Sequence, residues 1–265
     1  MTDLSRLEHY RKNLCGHARK VLDLDVEVTP HGAPPGVYGS VAPVEVLQYS
    51  YTEFLCERFV CEAVVNAEHN GYDAFTIGCY LDTGLRRARS LVDIPVLGIT
   101  ETSMLVACTL GKSFGIVTIS ESMAEHLWDS AVSYGLEKRA ASILSVSPEV
   151  DEYMMEDPEG NGAEIERRFF EACDKAIAKG ADVLIPGEGV INELMFERGI
   201  STYRSIPILD GNAVMWQYAV MLARLKQNSG LTTGRGRLYA KPPQTLLNTL
   251  HGVHRCYDLK EHDFS

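Results

Sequence analysis

Apolar and polar residues alternate along the chain with two different periods. In residues 4–22 the apolar positions recur every three or four residues, which predicts an amphipathic helix. Residues 25–29 then predict a short strand, and a loop rich in glycine and proline follows them. The next segment, about residues 43–70, is expected to form one long helix.

Beyond residue 70 the pattern becomes strand, turn and helix, repeated several times. Short apolar runs predict strands at residues 74–77, 96–98 and 114–119. Helices are predicted up to Arg89, over residues 102–110, after a capping box at Ser122 and Glu125, and over residues 163–179. Strands that alternate with helices are typical of a parallel sheet covered on both faces, so the predicted fold class is α/β.

One unit of this pattern occurs twice. Residues 71–79 and 180–188 align without a gap, and Gly, Asp and Gly coincide in the two segments. Each segment is followed by a helix and by a second short strand after a proline. The repeat predicts two pseudo-symmetric lobes, with residues 1–113 and 208–265 in the first and residues 114–207 in the second. The alternative is that such a match is common to strands of many α/β proteins.

The ends of the repeated strands predict a site. In both copies the strand runs into a glycine and then a polar residue, which is Cys79 in the first copy and Glu188 in the second. Ligands of open α/β sheets bind at the carboxyl ends of the strands. We therefore expect these two side chains to face each other across the cleft between the lobes.

Composition and charge exclude several classes of function. The 265 residues carry a formal net charge of −11, which repels nucleic acid. The seven cysteines form no CxxC pair and no cluster with histidine, which argues against a disulfide framework and a structural zinc site. The first residues are polar and no apolar run approaches the length of a membrane span. A cytoplasmic protein without membrane or nucleic-acid partners is therefore expected.

Three stretches carry a resemblance to a known family: GYDAFTIGCYLDTGL at residues 71–85, IPVLGITE at 94–101 and FGIVT at 114–118. Together with GAD at residues 180–182, PILDG at 207–211 and SGL at 229–231, they are similar to the aspartate/glutamate/hydantoin racemase superfamily, most closely to its hydantoin racemase branch. The resemblance implies two four-stranded parallel lobes with the active site between them. It also implies a small-molecule substrate, no metal and no organic cofactor, and it leaves a homo-oligomer open.

The resemblance assigns roles to individual residues. In such enzymes one cysteine thiolate removes the proton next to a carbonyl, a second cysteine delivers a proton to the opposite face, and Cys79 falls on the first of them. The turns after the strands hold the substrate carboxylate or amide through backbone N–H groups and hydroxyls. The residues that match these turns are Ser40, Gly78, Tyr80, Thr118, Ser120, Gly187 and Gly189.

Two features depart from the superfamily. Glu188 occupies the place of the second cysteine, so a symmetric exchange between two thiols is excluded. The superfamily also opens with a strand that ends in an Asn-containing turn, whereas this chain starts directly at a helix. Either the start codon is assigned too late or the first sheet has lost a central strand.

A cysteine and a glutamate support several kinds of chemistry. Cys79 and Glu188 can move protons on opposite faces of a carbon acid, which gives racemisation or epimerisation of an amino acid, a hydantoin or a similar small acid. This isomerase activity is the leading hypothesis. Cys79 alone can reprotonate an enolate after decarboxylation of a malonate-like acid, or act as a nucleophile in cis/trans isomerisation or amide hydrolysis. A homologue that binds a small carboxylate without turnover is the non-enzymatic alternative.

Both reactive groups depend on their surroundings. A free thiol with a pKa of about 8.5 is mostly protonated at neutral pH, so the helix that begins after Cys79 is expected to stabilise the thiolate with its N-terminus. Burial is expected to raise the pKa of Glu188 toward neutrality. The structural alternatives are that Glu188 caps its helix and that Asp82 and Asp210 are turn or cap residues. The other cysteines are expected to be packing groups.

Overall fold

The computed structural model describes residues 2–154, 157 and 159–256, in which helices and strands alternate. The helices are α1 (Glu8–Val21), α2 (Pro43–Leu47), α3 (Ser50–His69), α4 (Leu85–Leu91), α5 (Ile99–Leu110), α6 (Glu121–Ser133), α7 (Gly162–Ala178), α8 (Gly189–Glu197), α9 (Gly211–Ser229) and α10 (Gln244–Cys256). The strands are β1 (Phe75–Ile77), β2 (Val96–Gly98), β3 (Phe114–Thr118), β4 (Ala140–Ser145), β5 (Val183–Pro186), β6 (Thr202–Tyr203) and β7 (Ile206–Pro207).

Two short parallel sheets form the two lobes. In the first sheet β1 pairs with β2, and in the second β3 lies between β4 and β5. β6 and β7 form a short antiparallel pair. The α/β fold class with two lobes is confirmed, and the division of the chain between the lobes stays a prediction. The expectation of four strands in each lobe is wrong. Among the described residues the first sheet has two strands and the second has three.

Strand pairing reproduces the internal repeat. Phe75 of β1 lies opposite Val96 of β2, and Leu184 of β5 forms a parallel bridge with Ile208. Leu184 is the repeat equivalent of Phe75, and Val96 and Ile208 each follow an Ile-Pro sequence. The lobes therefore share one arrangement on this edge. On the other edge they differ, since β5 has β3 as a neighbour while β1 has no second neighbour in the described part of the chain.

The strand predicted at residues 25–29 is wrong. These residues have no helix or strand in the structure, although their apolar and polar positions alternate. An extended segment becomes part of a sheet only when a neighbouring strand pairs with its backbone N–H and C=O groups. Residues 25–29 have no such neighbour among the described residues.

Two other local predictions need correction, and one strand was not predicted. The long helix over residues 43–70 is broken into α2 and α3, and the Thr52 hydroxyl donates to the carbonyl of Tyr49 at 2.8 Å at the break. The capping box at Ser122 is wrong, because Ser120 is the N-cap of α6 and accepts from the N–H of Met123 at 3.3 Å. No strand was predicted at residues 140–145, whose apolar pattern is weak; they form β4 through pairing with β3.

The hydrophobic core centres on the second sheet. Every residue of β3 is buried, and Phe114 and Ile116 belong to the same cluster as Phe169 of α7. Helices α7 and α6 cover this sheet, and α9 packs against α5 and the first sheet. Among the described residues no helix is long and apolar enough to cross a membrane.

Candidate active site

A cavity of about 1320 Å³ brings the two repeated turns together. Cys79, after β1, and Glu188, after β5, both line it. The approach of the turns is visible at Gly189, where an added Cβ would lie 3.8 Å from the carbonyl oxygen of Gly78. The same Cβ would lie 2.5 Å from the hydroxyl of Tyr10, so glycine at this position makes room for the phenol. Tyr10 comes from α1 and is also a cavity residue.

Cys79 lies in a turn and not at a helix N-terminus. The N–H of Asp82 donates to the Cys79 carbonyl at 2.8 Å, and α4 begins only at Leu85. The prediction that the N-terminus of the following helix stabilises a Cys79 thiolate is therefore wrong. The Thr83 hydroxyl donates to the Cys79 sulfur at 3.7 Å, which supplies one local hydrogen bond to the thiol or thiolate. The sulfur stays accessible, since Cys79 is half-buried and lines the cavity.

Glu188 is the N-cap of α8. Its carboxylate accepts hydrogen bonds from the backbone N–H groups of Val190 and Ile191, the latter at 3.3 Å. Burial raises the pKa of this carboxyl, and the hydrogen bonds from the helix N–H groups act in the opposite direction. The capping role predicted as an alternative is thus present in the structure. Glu188 also lines the cavity, so its carboxyl group can cap α8 and still reach a bound molecule.

Glu152 is a further carboxyl group of the cavity, and it was not predicted from the sequence. It is buried, and it accepts a hydrogen bond from the N–H of Val44 at 3.3 Å. Burial and the nearby charge of Glu188 raise its pKa to about 7. No sequence pattern singles out Glu152, because it belongs to neither copy of the repeat.

The predicted substrate-binding residues fall into three groups. Gly78 and Tyr80 line the cavity beside Cys79. The Thr118 hydroxyl is fully buried and donates to the Gly187 carbonyl at 2.9 Å, so it holds the turn before Glu188. Ser120 uses its hydroxyl as the α6 cap. Ser40 is not brought to the site: it is exposed and does not line the cavity.

A buried histidine, His17 of α1, contacts α8, the helix that Glu188 caps, and was not predicted from the sequence as a site residue. The His17 ring nitrogens lie 2.7 Å from a Glu193 oxygen and 2.8 Å from an Asp210 oxygen. Burial disfavours the imidazolium, but the hydrogen bonds to Asp210 and Glu193 outweigh it and raise the pKa of His17 to about 9. The ring stacks on Phe196 with centroids 3.5 Å apart. This network joins α1 to α8 and α9.

The two aspartates predicted as cap residues have that role. Asp82 accepts from the N–H groups of Thr100 at 3.0 Å and Glu101 at 2.8 Å, and so caps the start of α5. Asp210 accepts from the N–H of Ala213 at 3.1 Å at the start of α9. In the described part of the chain, no group of three or more His, Cys, Asp or Glu side chains is placed to hold a metal ion.

Comparison with known proteins matches the chain to one family. The model of the Asp/Glu/Hydantoin racemase family matches residues 25–219. A hydantoin racemase of Pseudomonas sp. (strain NS671) is 31% identical over 194 residues, which cover 73% of this chain and 75% of that protein. A hydantoin racemase of Rhizobium meliloti is 27% identical over 176 residues, 66% of this chain and 68% of that protein.

Solved structures show the same fold. The allantoin racemase from Pseudomonas fluorescens superposes with a TM-score of 0.73 at 24% identity, covering 89% of this chain and 93% of that chain. The allantoin racemase from Klebsiella pneumoniae gives a TM-score of 0.72 at 22% identity, covering 88% of both chains. At these identities the likeness concerns the fold.

Proposed function

We propose that this isomerase, which belongs to the Asp/Glu/Hydantoin racemase family, inverts the carbon next to a carbonyl in a small cyclic amide of the hydantoin class, with Cys79 and Glu188 as its two proton-transfer groups. The observation that carries the proposal is that both side chains line one cavity from equivalent turns of the two lobes. Two acid–base groups on different walls of one cavity suit a reaction that removes a proton from one face and returns it to the other.

The reaction runs through a planar intermediate. In one direction the Cys79 thiolate takes the proton from the carbon, the electron pair moves into the carbonyl to give an enolate, and protonated Glu188 delivers a proton to the opposite face. The products are the neutral thiol, the Glu188 carboxylate and the inverted substrate. In the other direction Glu188 is the base and the Cys79 thiol is the acid. The raised pKa of Glu188 supports this exchange, because it brings the proton affinity of the carboxyl closer to that of a thiol.

The charges around the site favour a neutral substrate. Glu152 and Glu188 both line the cavity, and the ion pairs of the described residues include neither of them. Two acidic groups that form no ion pair with a described residue disfavour a substrate carboxylate, because like charges repel. They can accept hydrogen bonds from the N–H groups of a cyclic ureide. This supports a hydantoin-like substrate over a free acidic amino acid.

A second candidate function rests on the hydrogen bonds of Glu188. If the Glu188 carboxylate only accepts hydrogen bonds from the N–H groups of α8, it cannot transfer a proton to the substrate. Of the two repeated turns, only the one with Cys79 then supplies a proton. A single cysteine suits the decarboxylation of a malonate-like acid, in which the enolate left after loss of CO₂ is protonated on one face.

Deuterium exchange distinguishes these candidates. Single enantiomers of 5-substituted hydantoins, and separately an arylmalonate, are incubated with the protein in deuterated water, and deuterium at the substrate carbon and the optical rotation are followed. We expect hydantoins to gain deuterium and racemise. Cys79→Ser should lower exchange by roughly 10²–10⁴-fold. Glu188→Gln should leave exchange from the enantiomer whose hydrogen faces Cys79 but abolish inversion.

Matched variants control for general damage to the protein. Cys61→Ser and Glu62→Gln change the same residue types on α3 outside the cavity and should leave both rates unchanged. If Glu188→Gln racemises both enantiomers at the wild-type rate, Glu188 is a cap and takes no part in proton transfer. Turnover of the arylmalonate without exchange of hydantoins would favour the decarboxylase. Binding of a hydantoin with neither exchange nor turnover would leave a non-enzymatic binding protein.

A further inference from the structure

One polar residue of the cavity, Asn212, has no part in the proton transfer proposed above. It lines the cavity from the first turn of α9, and it is only 2% exposed. The residue before it, Gly211, packs against the neighbour of Cys79, because an added Cβ at Gly211 would lie 2.3 Å from the Tyr80 hydroxyl. A buried amide this close to the reacting turn has to satisfy its polar atoms. Its hydrogen bonds therefore show which of its ends a ligand can use.

The nitrogen end of the Asn212 amide is held by a buried carboxyl group. Its Nδ2 donates to Oε1 of Glu193 at 2.8 Å, and Nδ1 of His17 lies 2.7 Å from the same oxygen. Because the pKa of His17 is raised to about 9, both of its ring nitrogens carry a hydrogen at neutral pH, so this oxygen accepts from the histidine as well. If the amide were reversed, two acceptor oxygens would face each other. The network thus keeps Nδ2 on Glu193 and directs Oδ1 to the other side.

The oxygen end of the amide is open to the cavity. Among the described residues, none donates a hydrogen bond to Oδ1 of Asn212. This oxygen is also not one of the sealed side-chain atoms that lack a partner. Since Asn212 is otherwise buried and lines the cavity, its Oδ1 reaches the cavity space, where an N–H of a bound molecule can donate to it. Unlike the carboxyl groups of Glu152 and Glu188, it is an acceptor that does not titrate.

Building on the proposed function, we infer that Asn212 is a specificity-determining residue whose Oδ1 accepts a hydrogen bond from a ring N–H of the substrate. Glu193 fixes this acceptor before the substrate binds, so little orientational freedom is lost on binding. A ligand whose ring nitrogen carries a methyl group has no hydrogen to donate and leaves Oδ1 without a partner. Sites built to hydrogen-bond a substrate N–H reject analogues that lack it. The substrate class is accordingly a cyclic amide or ureide with an unsubstituted ring nitrogen.

Isothermal titration calorimetry with two related ligands tests the inference. The probes are racemic 5-benzylhydantoin and its racemic 1,3-dimethyl derivative. Turnover of a racemate produces no net change, so the heat reports binding. The wild type should bind the parent ligand at least roughly tenfold more tightly than the dimethyl ligand. Asn212→Leu removes the acceptor at a similar side-chain volume, so it should weaken binding of the parent by roughly fivefold or more and leave the Kd of the dimethyl ligand unchanged.

The dimethyl ligand separates a lost hydrogen bond from a changed cavity shape. It has no N–H to lose, so a general disturbance of the cavity would change its Kd together with that of the parent. Asn66→Leu is the matched control, because Asn66 lines the same cavity from α3 and lies outside the hydrogen-bond network of Glu193 and His17 in the described structure. It should keep the wild-type ratio of the two Kd values. If Asn212→Leu does not fold, Asn212→Ala removes the same acceptor and should change the ratio in the same direction.

Three results would overturn the inference. One is a wild type that binds the two ligands equally or binds neither. Another is a folded Asn212→Leu or Asn212→Ala protein that keeps the wild-type ratio. The third is an equal loss of the ratio in Asn66→Leu.

The proposed function is judged separately, by deuterium exchange and racemisation. Racemisation with a ratio of Kd values that is independent of Asn212 would overturn the inference alone. A ratio that depends on Asn212, found without exchange or racemisation, would overturn the proposed function alone.

Discussion

The buried histidine of α1 gives a stability prediction that can be worked out in magnitude. His17 is fully buried, and its two ring nitrogens contact Glu193 and Asp210. The carboxyl groups raise its pKa from 6.5 to about 9, so the folded protein holds an imidazolium at neutral pH. We expect His17→Gln to remove the positive charge, so that Glu193 and Asp210 lose their cationic partner.

The size of the effect follows from the pKa. A rise from 6.5 to about 9 corresponds to roughly 3 kcal/mol of extra stability for the protonated form. Because the folded pKa lies above the unfolded value, this contribution is complete below about pH 6.5 and is lost as the pH rises through about 9. Breaking a buried ion pair by removing one partner costs a similar amount, about 3–5 kcal/mol.

Urea denaturation followed by far-ultraviolet circular dichroism measures this contribution. Tryptophan fluorescence is unsuitable, since the Trp216 ring lies 5.1 Å from the His17 ring. We expect His17→Gln to lower the free energy of unfolding by roughly 3 kcal/mol near pH 6, with the difference shrinking toward about pH 9. His9→Gln on the same helix is the control, because His9 and its partner Glu197 are both 40% exposed and such pairs contribute at most about 1 kcal/mol.

Two results would refute the reasoning about His17. One is a difference between the wild type and His17→Gln that stays constant across the pH range. The other is a loss no larger than that of His9→Gln. The carboxyl groups of Asp82 and Glu152, with pKa values raised to about 7, titrate in the wild type and in both variants, so they cancel in the comparison.

Three further predictions concern other residues. Burial raises the pKa of Asp82 to about 7, so the stability that this group contributes is lost as the pH rises from about 4. Relative to Asp82→Asn, the free energy of unfolding of the wild type should fall by up to roughly 4 kcal/mol between pH 4 and 7. If the free energies of unfolding of the two proteins change in parallel with pH, this prediction is wrong. Gly187→Ala should cost about 1–3 kcal/mol in chemical denaturation, because its Cβ would lie 2.5 Å from a methyl of Ile116, whereas Gly16→Ala in α1 meets open space and should not destabilise. Glu152→Gln should move the limb of the kcat/KM–pH profile that reports Glu188 to lower pH by removing a nearby negative charge, and an unmoved limb would show that the two carboxyls are not coupled.

Local sequence patterns predicted much of the fold. The Val96–Gly98 strand is found as expected, and α1, α7, β1 and β3 differ from prediction by a few residues at their ends. Such segments carry a complete pattern of their own, either an apolar run bounded by a turn or an amphipathic period. The family was also recognisable, since the sequences around β1, β2 and β3 carry its motifs.

Predictions failed where a distant segment decides the outcome. Residues 25–29 have the alternation of a strand, yet no neighbour pairs with them in the described chain. Residues 140–145 have a weak pattern and still form β4, because β3 pairs with them. Helix α5 begins at Ile99, before the predicted residue 102, because Asp82 caps it from another turn.

The sequence by itself determined that two equivalent turns carry a cysteine and a glutamate, because a repeated motif is local and can be read residue by residue. The tertiary structure decided that these groups share one cavity, that Glu188 also caps α8, and that α4 begins at Leu85 and not directly after Cys79. It alone revealed His17 with Glu193, which are 176 residues apart, and the buried carboxyl of Glu152. The physical reason is that pKa and burial depend on which distant segments pack around a group, and no local period encodes that packing.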